Sequence, residues 1–116
     1  MSKPYKEIMA DILASTATMR KEIPDTMNGF YALANAAAKE GALSKKTKEM
    51  IALAIGIATH CDACIAFHTQ SLIKLGVTRE EFLETLGMAI YMGGGPSLMF
   101  AADALMAFEE LSLGKT

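Results

Sequence analysis

The sequence predicts an all-helical protein, a bundle of about six helices, from its composition, its length and the spacing of its helix-breaking residues. Of its 116 residues 52% are hydrophobic but only 7% are aromatic, so the apolar side chains are mainly Ala, Leu, Ile and Met. These residues lose little conformational freedom in a helix. The length is that of one ordinary domain, and residues 1–116 are therefore assigned to a single helical domain.

The first three helices are predicted in the first half of the chain. The first covers roughly Pro4–Arg20, where apolar residues recur at helical spacing. Pro24 suits the opening turn of the second helix, which should stop near Gly41, a favoured residue at helix ends. Ser44 is placed to cap a third helix that runs to about Thr59.

The second half of the chain divides into three more helices. The fourth should start near His60 or Cys61 and end at Leu75-Gly76. Residues 78–81 read Thr-Arg-Glu-Glu, a capping box that opens the fifth helix. Pro96 opens a sixth that lasts to about Leu113. Because the connections are short, neighbouring helices are expected to pack antiparallel.

Charge and hydropathy exclude several classes of partner. The net charge is −2, and the 11 basic and 13 acidic side chains are scattered. A protein that binds nucleic acid needs clustered basic residues, so we expect no nucleic-acid partner. The longest apolar run, residues 50–58, is too short to span a bilayer, and the first residues lack the apolar segment of a secretory signal. The prediction is a cytoplasmic protein with no membrane partner.

The apolar content also predicts self-association. Only 21% of the residues are charged, and a domain of this size has much surface for its volume. Some apolar surface should therefore meet another subunit, giving a homo-oligomer. Four methionines in the last two helices are predicted to serve packing or subunit contact rather than a cofactor: Met88, Met92, Met99 and Met106.

The residues that can carry chemistry lie in the segment 60–68, which reads His-Cys-Asp-Ala-Cys-Ile-Ala-Phe-His. On a helix, Cys61, Cys64 and His68 fall within an arc of roughly 60°. The two sulfurs can then form a reducible disulfide, and His68 can take a proton from a thiol, whose thiolate is the reactive form. If the helix starts at His60 or Cys61, its amino end also favours a thiolate.

Glu49 is the second candidate, because it is the last charged residue before nine consecutive apolar ones. A helix that is apolar all round is a buried helix, so Glu49 should stand at the edge of the interior. Ala52 and Gly56 on the same face let a neighbouring helix approach. If that neighbour is the cysteine helix, Glu49 lies near His68 and orients its ring for proton transfer.

Other interpretations of these residues remain open. Glu49 can be a first-turn acid that favours the helix amino end or pairs with Lys45. His60, Cys61, Cys64 and His68 match a tetrahedral zinc set in kind. Thiol redox chemistry is favoured over zinc, because structural zinc sites usually draw their ligands from separate segments and His60 points away from His68 on one helix. The prediction is no metal and no cofactor beyond the cysteine pair.

Taken together, these motifs resemble the carboxymuconolactone decarboxylase superfamily, and within it the alkyl hydroperoxidase D-like branch. The resemblance is close over about residues 44–89 and rests on three patterns: Lys45-x-x-Lys48-Glu49-Met50-Ile51-Ala52-Leu53-Ala54-Ile55, His60-Cys61-x-x-Cys64-x-x-x-His68 and Leu75-Gly76-Val77-Thr78-x-Glu80-Glu81.

The resemblance implies a helical fold that assembles into trimers or hexamers. It also implies an antioxidant peroxidase or disulfide reductase in which Cys61 and Cys64 are the redox pair and Glu49 and His68 the proton relay. The substrate would be a hydroperoxide or a disulfide, and the electron donor a lipoylated or thioredoxin-like protein. The well-studied hydroperoxidases have a histidine between the cysteines, where this chain has Asp62 and Ala63, and His60 is a possible substitute. One alternative to this function is a non-catalytic zinc or partner-binding helical module, and the other is a decarboxylase-type lyase that uses His68 and Glu49 alone.

Overall fold

The structure is a computed structural model that describes residues 3–113 as six α-helices, with no strand in that range. This confirms the predicted fold class. The helices are α1 (Tyr5–Glu22), α2 (Pro24–Ala38), α3 (Lys45–Ala58), α4 (Asp62–Lys74), α5 (Arg79–Gly93) and α6 (Gly95–Leu113).

Local capping signals set most of the helix starts as predicted. The Ser44 side chain accepts a hydrogen bond from the Thr47 N–H, 3.1 Å away, at the start of α3. The capping box at α5 is complete: Thr78 Oγ1 accepts from the Glu81 N–H, and Glu81 Oε1 accepts from the Thr78 N–H. Helix α4 begins at Asp62, with Cys61 as its capping residue, which lies at the end of the predicted interval.

The predicted end of α2 at Gly41 is wrong. The helix stops three residues earlier, at Ala38, and its capping residue Lys39 has an extended backbone. Lys48 Nζ donates to the carbonyl oxygens of Ala37 and Lys39, at 2.9 and 2.5 Å. An ammonium group on α3 thus satisfies the free carbonyls that a C-terminal glycine motif would otherwise bond.

The core lies where α3, α4, α5 and α6 meet, and the start of α1 closes one side of it. Four helices contribute its largest fully buried apolar side chains, which are Tyr5, Leu53, Ile57, Ile65, Leu72 and Phe82. The fifth, α6, adds the small residues Ala101, Ala104 and Ala107. The ring of Phe82 packs on that of Phe108 with centroids 4.5 Å apart. Alanines on α6 let this long helix lie close to its neighbours.

Apolar side chains remain exposed on several helices, and their exposure on α3 was not expected. Met88, Met92 and Met99 are 60%, 76% and 61% exposed, so core packing does not account for them. The nine apolar residues of α3 were expected to be buried all round, yet Ile51 and Ile55 are exposed. Helix α3 therefore buries one face and leaves part of the other exposed. Within residues 3–113, no helix is long and apolar enough to cross a membrane.

The capping box predicts how acid affects the start of α5. The pKa of Glu81 lies below its ordinary value near 4.5, first because the Thr78 N–H donates to the carboxylate and next because Lys46 pairs with it. A lowered folded-state pKa contributes stability that is complete above the unfolded-state pKa and is lost as pH falls through the folded-state one. We expect Glu81→Gln to melt below the wild type at pH 7, with the difference closing as the pH falls below the ordinary carboxyl pKa near 4.5. Melting curves from pH 2 to 7 measure this, and a constant difference would contradict it.

Candidate thiol redox site

The two cysteines lie at the start of α4 and are joined to each other. Cys61 and Cys64 form a disulfide with their Cα atoms 5.2 Å apart, and both residues are half-buried. Cys61 is the capping residue of α4, and its Sγ accepts a hydrogen bond from the Cys64 N–H at 3.1 Å. In the reduced protein the same N–H and the positive end of the helix favour a thiolate on Cys61.

Gly56 on α3 determines how closely the cysteines approach the neighbouring helix. A Cβ atom at position 56 would lie 3.0 Å from the Cβ of Cys64, tighter than ordinary van der Waals contact. The Gly56 carbonyl also accepts a hydrogen bond from the Cys61 N–H at 3.0 Å. The predicted close approach at this glycine is therefore confirmed. The absence of a side chain at position 56 lets α3 hold both ends of the Cys-x-x-Cys segment.

The structure brings Glu49 and His68 together, 19 residues apart in sequence. His68 Nδ1 lies 2.8 Å from Glu49 Oε1, and the two side chains are 32% and 17% exposed. Glu49 meets the middle of α4 while Gly56 meets its start, so α3 and α4 run antiparallel as predicted. Since Nδ1 faces the carboxylate, the other ring nitrogen, Nε2, is the one left for proton exchange with a substrate or thiol.

The alternative roles considered for Glu49 do not fit this geometry. Helix α3 begins at Lys45, so Glu49 is its fifth residue and not part of the first turn. Its carboxylate contacts His68 rather than Lys45. The interpretation of Glu49 as a first-turn acid is therefore wrong, because Glu49 lies beyond the first turn of α3. Its partner is the imidazole of His68.

His60 takes a different position from His68. Its backbone is left-handed, with φ 58°, in the turn between α3 and α4. Its exposed ring stacks on that of Phe100 in α6, with centroids 4.6 Å apart and planes 8° from parallel. Among residues 3–113, no group of three or more His, Cys, Asp and Glu side chains is arranged to hold a metal ion.

A groove of about 430 Å³ lies between α2 and α3 and reaches the Glu49–His68 pair. Its walls are mostly apolar, and its lining comprises Ala34, Ala37, Ala38, Lys48, Glu49, Ile51, Ala52, Ile55 and His68. Neither cysteine is among these residues. The imidazole thus lines an apolar groove that can accept a small organic molecule, and it lies four residues after Cys64 on the same helix.

The sequence analysis missed several side chains around this site. Lys48, which binds the end of α2 beside the groove, was recognised only as part of the family pattern, and no structural role was predicted for it. Asp62, Phe100 and Asp103 all contact Lys3, and only the structure brings them together because they lie up to 100 residues from it in sequence. No local signal identifies such contacts.

The sequence is similar to a described protein family and to individual proteins of other organisms. The sequence profile described as the Carboxymuconolactone decarboxylase family matches residues 24–107. An uncharacterized protein of Cupriavidus necator is 34% identical over 112 residues, which cover 97% of this chain and 99% of that protein.

Two crystal structures share the fold. The apo form of a carboxymuconolactone decarboxylase family protein from Legionella pneumophila is 60% identical, with a TM-score of 0.93 over 96% of this chain and 99% of that one. A family member from Thermotoga maritima, suggested to take part in an antioxidative response, is 30% identical. Its TM-score is 0.73, over 78% of this chain and 93% of that one.

Proposed function

This chain belongs to the carboxymuconolactone decarboxylase family, and we propose that it acts there as a thiol-dependent peroxidase or disulfide reductase. The observation that carries the proposal is the Cys61–Cys64 disulfide at the amino end of α4, on the helix whose His68 contacts Glu49. The suggested antioxidative role of the Thermotoga maritima relative agrees with it.

The proposed reaction with a hydroperoxide has two steps. A cysteine thiolate attacks the outer oxygen of the hydroperoxide, the O–O bond breaks, and an alcohol leaves with a proton while the cysteine becomes a sulfenic acid. The second thiol attacks that sulfur, so that the disulfide forms and water leaves. A disulfide substrate is reduced through a mixed disulfide instead. In both cases His68 takes the thiol proton and Glu49 holds the ring in place.

A dithiol donor must then reduce the Cys61–Cys64 disulfide. We propose a lipoylated or thioredoxin-like protein for this role, since either supplies two electrons and two protons by thiol–disulfide exchange. The chain needs no other cofactor in this scheme.

The test combines thiol counting, metal analysis and turnover. We expect the reduced protein to lose two thiols per chain when it is treated with one equivalent of an alkyl hydroperoxide, and to regain both with a reduced lipoylated carrier or thioredoxin. Metal analysis of the same sample should find no stoichiometric zinc. Thiols that persist in peroxide, or one zinc per chain as purified, would overturn the proposal.

A second candidate is a lyase that uses His68 and Glu49 without the cysteines. The apolar groove that reaches this pair but neither cysteine favours it. A Cys61→Ser/Cys64→Ser double variant separates the two candidates, because a lyase keeps its activity in that variant and a thiol peroxidase does not.

We also propose that the chain forms a closed homo-oligomer, a trimer or a hexamer. The support is the exposed apolar surface on α2, α3, α5 and α6, which includes Phe30, Leu33, Ile55, Met88, Tyr91, Met92 and Met99. Burial of such surface gains about 25 cal/mol per Å² before the entropic cost of association. We expect light scattering on dilute protein to give three or six times the chain mass of 12.4 kDa. A single species of 12.4 kDa would contradict this.

A further inference from the structure

Lys3, near the start of the chain, links α6 to Asp62, the residue that follows Cys61. Lys3 Nζ lies 2.8 Å from Asp62 Oδ1 on α4 and 2.8 Å from Asp103 Oδ2 on α6. The Lys3 and Asp62 side chains are partly exposed, and Asp103 is more buried. The pKa of Lys3 is raised well above its ordinary value, first by its hydrogen bond to Asp103 and next by that to Asp62. Lys3 is therefore a cation at every pH at which the protein would work.

His60, the residue that precedes Cys61, contacts the same part of α6. The Phe100 ring on α6 stacks against His60, and Lys3 Nζ lies 4.9 Å from its centroid, within the range of a cation–π contact. His60 and Asp62, one on each side of Cys61, are thus both connected to α6, His60 by direct stacking and Asp62 through Lys3. The hydroxyl of Tyr5 is buried close to these charges, and burial, followed by Asp103, raises the pKa of Tyr5 to about 12.

The charge on Asp62 bears directly on the chemistry of Cys61. A carboxylate one residue from a thiol disfavours the thiolate by like-charge repulsion. It thereby opposes the Cys64 N–H and the helix end, which favour the thiolate. An ammonium group bound to that carboxylate removes most of the repulsion.

We propose that Lys3 is a positioning residue for the redox pair, which neutralises Asp62 next to Cys61 and so favours the Cys61 thiolate and the reduced form of the disulfide. The proposal rests on the proposed thiol function. Other titratable groups of the described chain near the start of α4 are His60, Asp103 and Tyr5, with the Glu49–His68 pair further along the helix. A more stable thiolate makes the disulfide more oxidising, because the thiolate exists only in the reduced state and its stabilisation favours that state.

The first experiment measures the thiol alone. In a Cys64→Ser background, iodoacetamide alkylates only Cys61, and its rate across pH reports the thiolate. Lys3→Met should slow alkylation by up to about fivefold at neutral pH, since an exposed ion pair contributes at most about 1 kcal/mol and 1.36 kcal/mol corresponds to tenfold. The profile should move to higher pH. Lys6→Met is the matched control, because it removes an equal charge from the next lysine of the segment, whose side chain is exposed.

The second experiment separates charge from structure. Asp62→Asn should speed alkylation, and Lys3→Met/Asp62→Asn should recover the rate lost in Lys3→Met. Lys3→Arg should stay close to wild type. In the chain with both cysteines, equilibration with dithiothreitol should show a disulfide harder to reduce in Lys3→Met than in Lys6→Met. Neither measurement needs turnover, so an inactive protein that shows these shifts would refute the proposed function alone. Lys3→Met rates equal to those of Lys6→Met, or a double variant as slow as Lys3→Met, would overturn the role of Lys3.

Discussion

Replacing either Cys61 or Cys64 by serine should abolish multiple turnover with an alkyl hydroperoxide and a dithiol donor, down to the rate without enzyme. Neither sulfur can close the disulfide alone, and a serine hydroxyl cannot form the bond that the donor must reduce. The measurement is steady-state consumption of hydroperoxide with each donor. A single-turnover mixing experiment beside it should still show one thiol consumed in whichever variant keeps the attacking cysteine.

The structure also makes the two serine variants informative about order of attack. Cys61 Sγ accepts a hydrogen bond from the Cys64 N–H at the amino end of α4, which favours Cys61 as the thiolate. The spacing of four residues between Cys64 and His68 favours activation of Cys64 instead. Trapping a mixed disulfide with the donor in each variant decides between them. Serine variants that both retain full multiple turnover would refute the pair mechanism altogether.

Local signals in the sequence were enough to predict the fold class and most helix starts. Ser44 and the box at Thr78–Glu81 act within one turn of their own helix, so their effect does not depend on the rest of the chain. The Glu49–His68 contact was predictable for a related reason. Helical spacing fixes which residues share a face, and short connections make adjacent helices antiparallel.

Contacts from distant segments were not predictable in this way. Helix α2 does not end at Gly41 as predicted, and Lys48 on the next helix binds carbonyls at the end of α2 instead. Ile51 and Ile55 were expected in the core, since a run of nine apolar residues has no polar side that marks the surface. The cluster of Lys3, Asp62 and Asp103 joins segments 59 and 100 residues apart, a separation that no periodicity encodes.

The second large effect is expected at the proton relay. His68→Ala and Glu49→Gln should each slow thiolate formation without unfolding the protein, because one removes the base and the other the carboxylate that orients it. Loss of a general base costs on the order of 10² to 10⁴ in rate, and His68→Ala should fall in this range. Glu49→Gln should cost less, since the imidazole remains and an amide can still accept a hydrogen bond from Nδ1.

Alkylation of the reduced protein by iodoacetamide is the direct measurement, and its pH profile should move to higher pH in both variants. Glu80→Gln, an exposed carboxylate in the first turn of α5, is the matched control and should alkylate like the wild type. Melting temperatures decide what any difference means. A Glu49→Gln variant that alkylates like the wild type but melts much lower would show that Glu49 stabilises the packing of α3 on α4 and does not serve the thiols. A variant that melts normally and alkylates slowly would assign it to the relay.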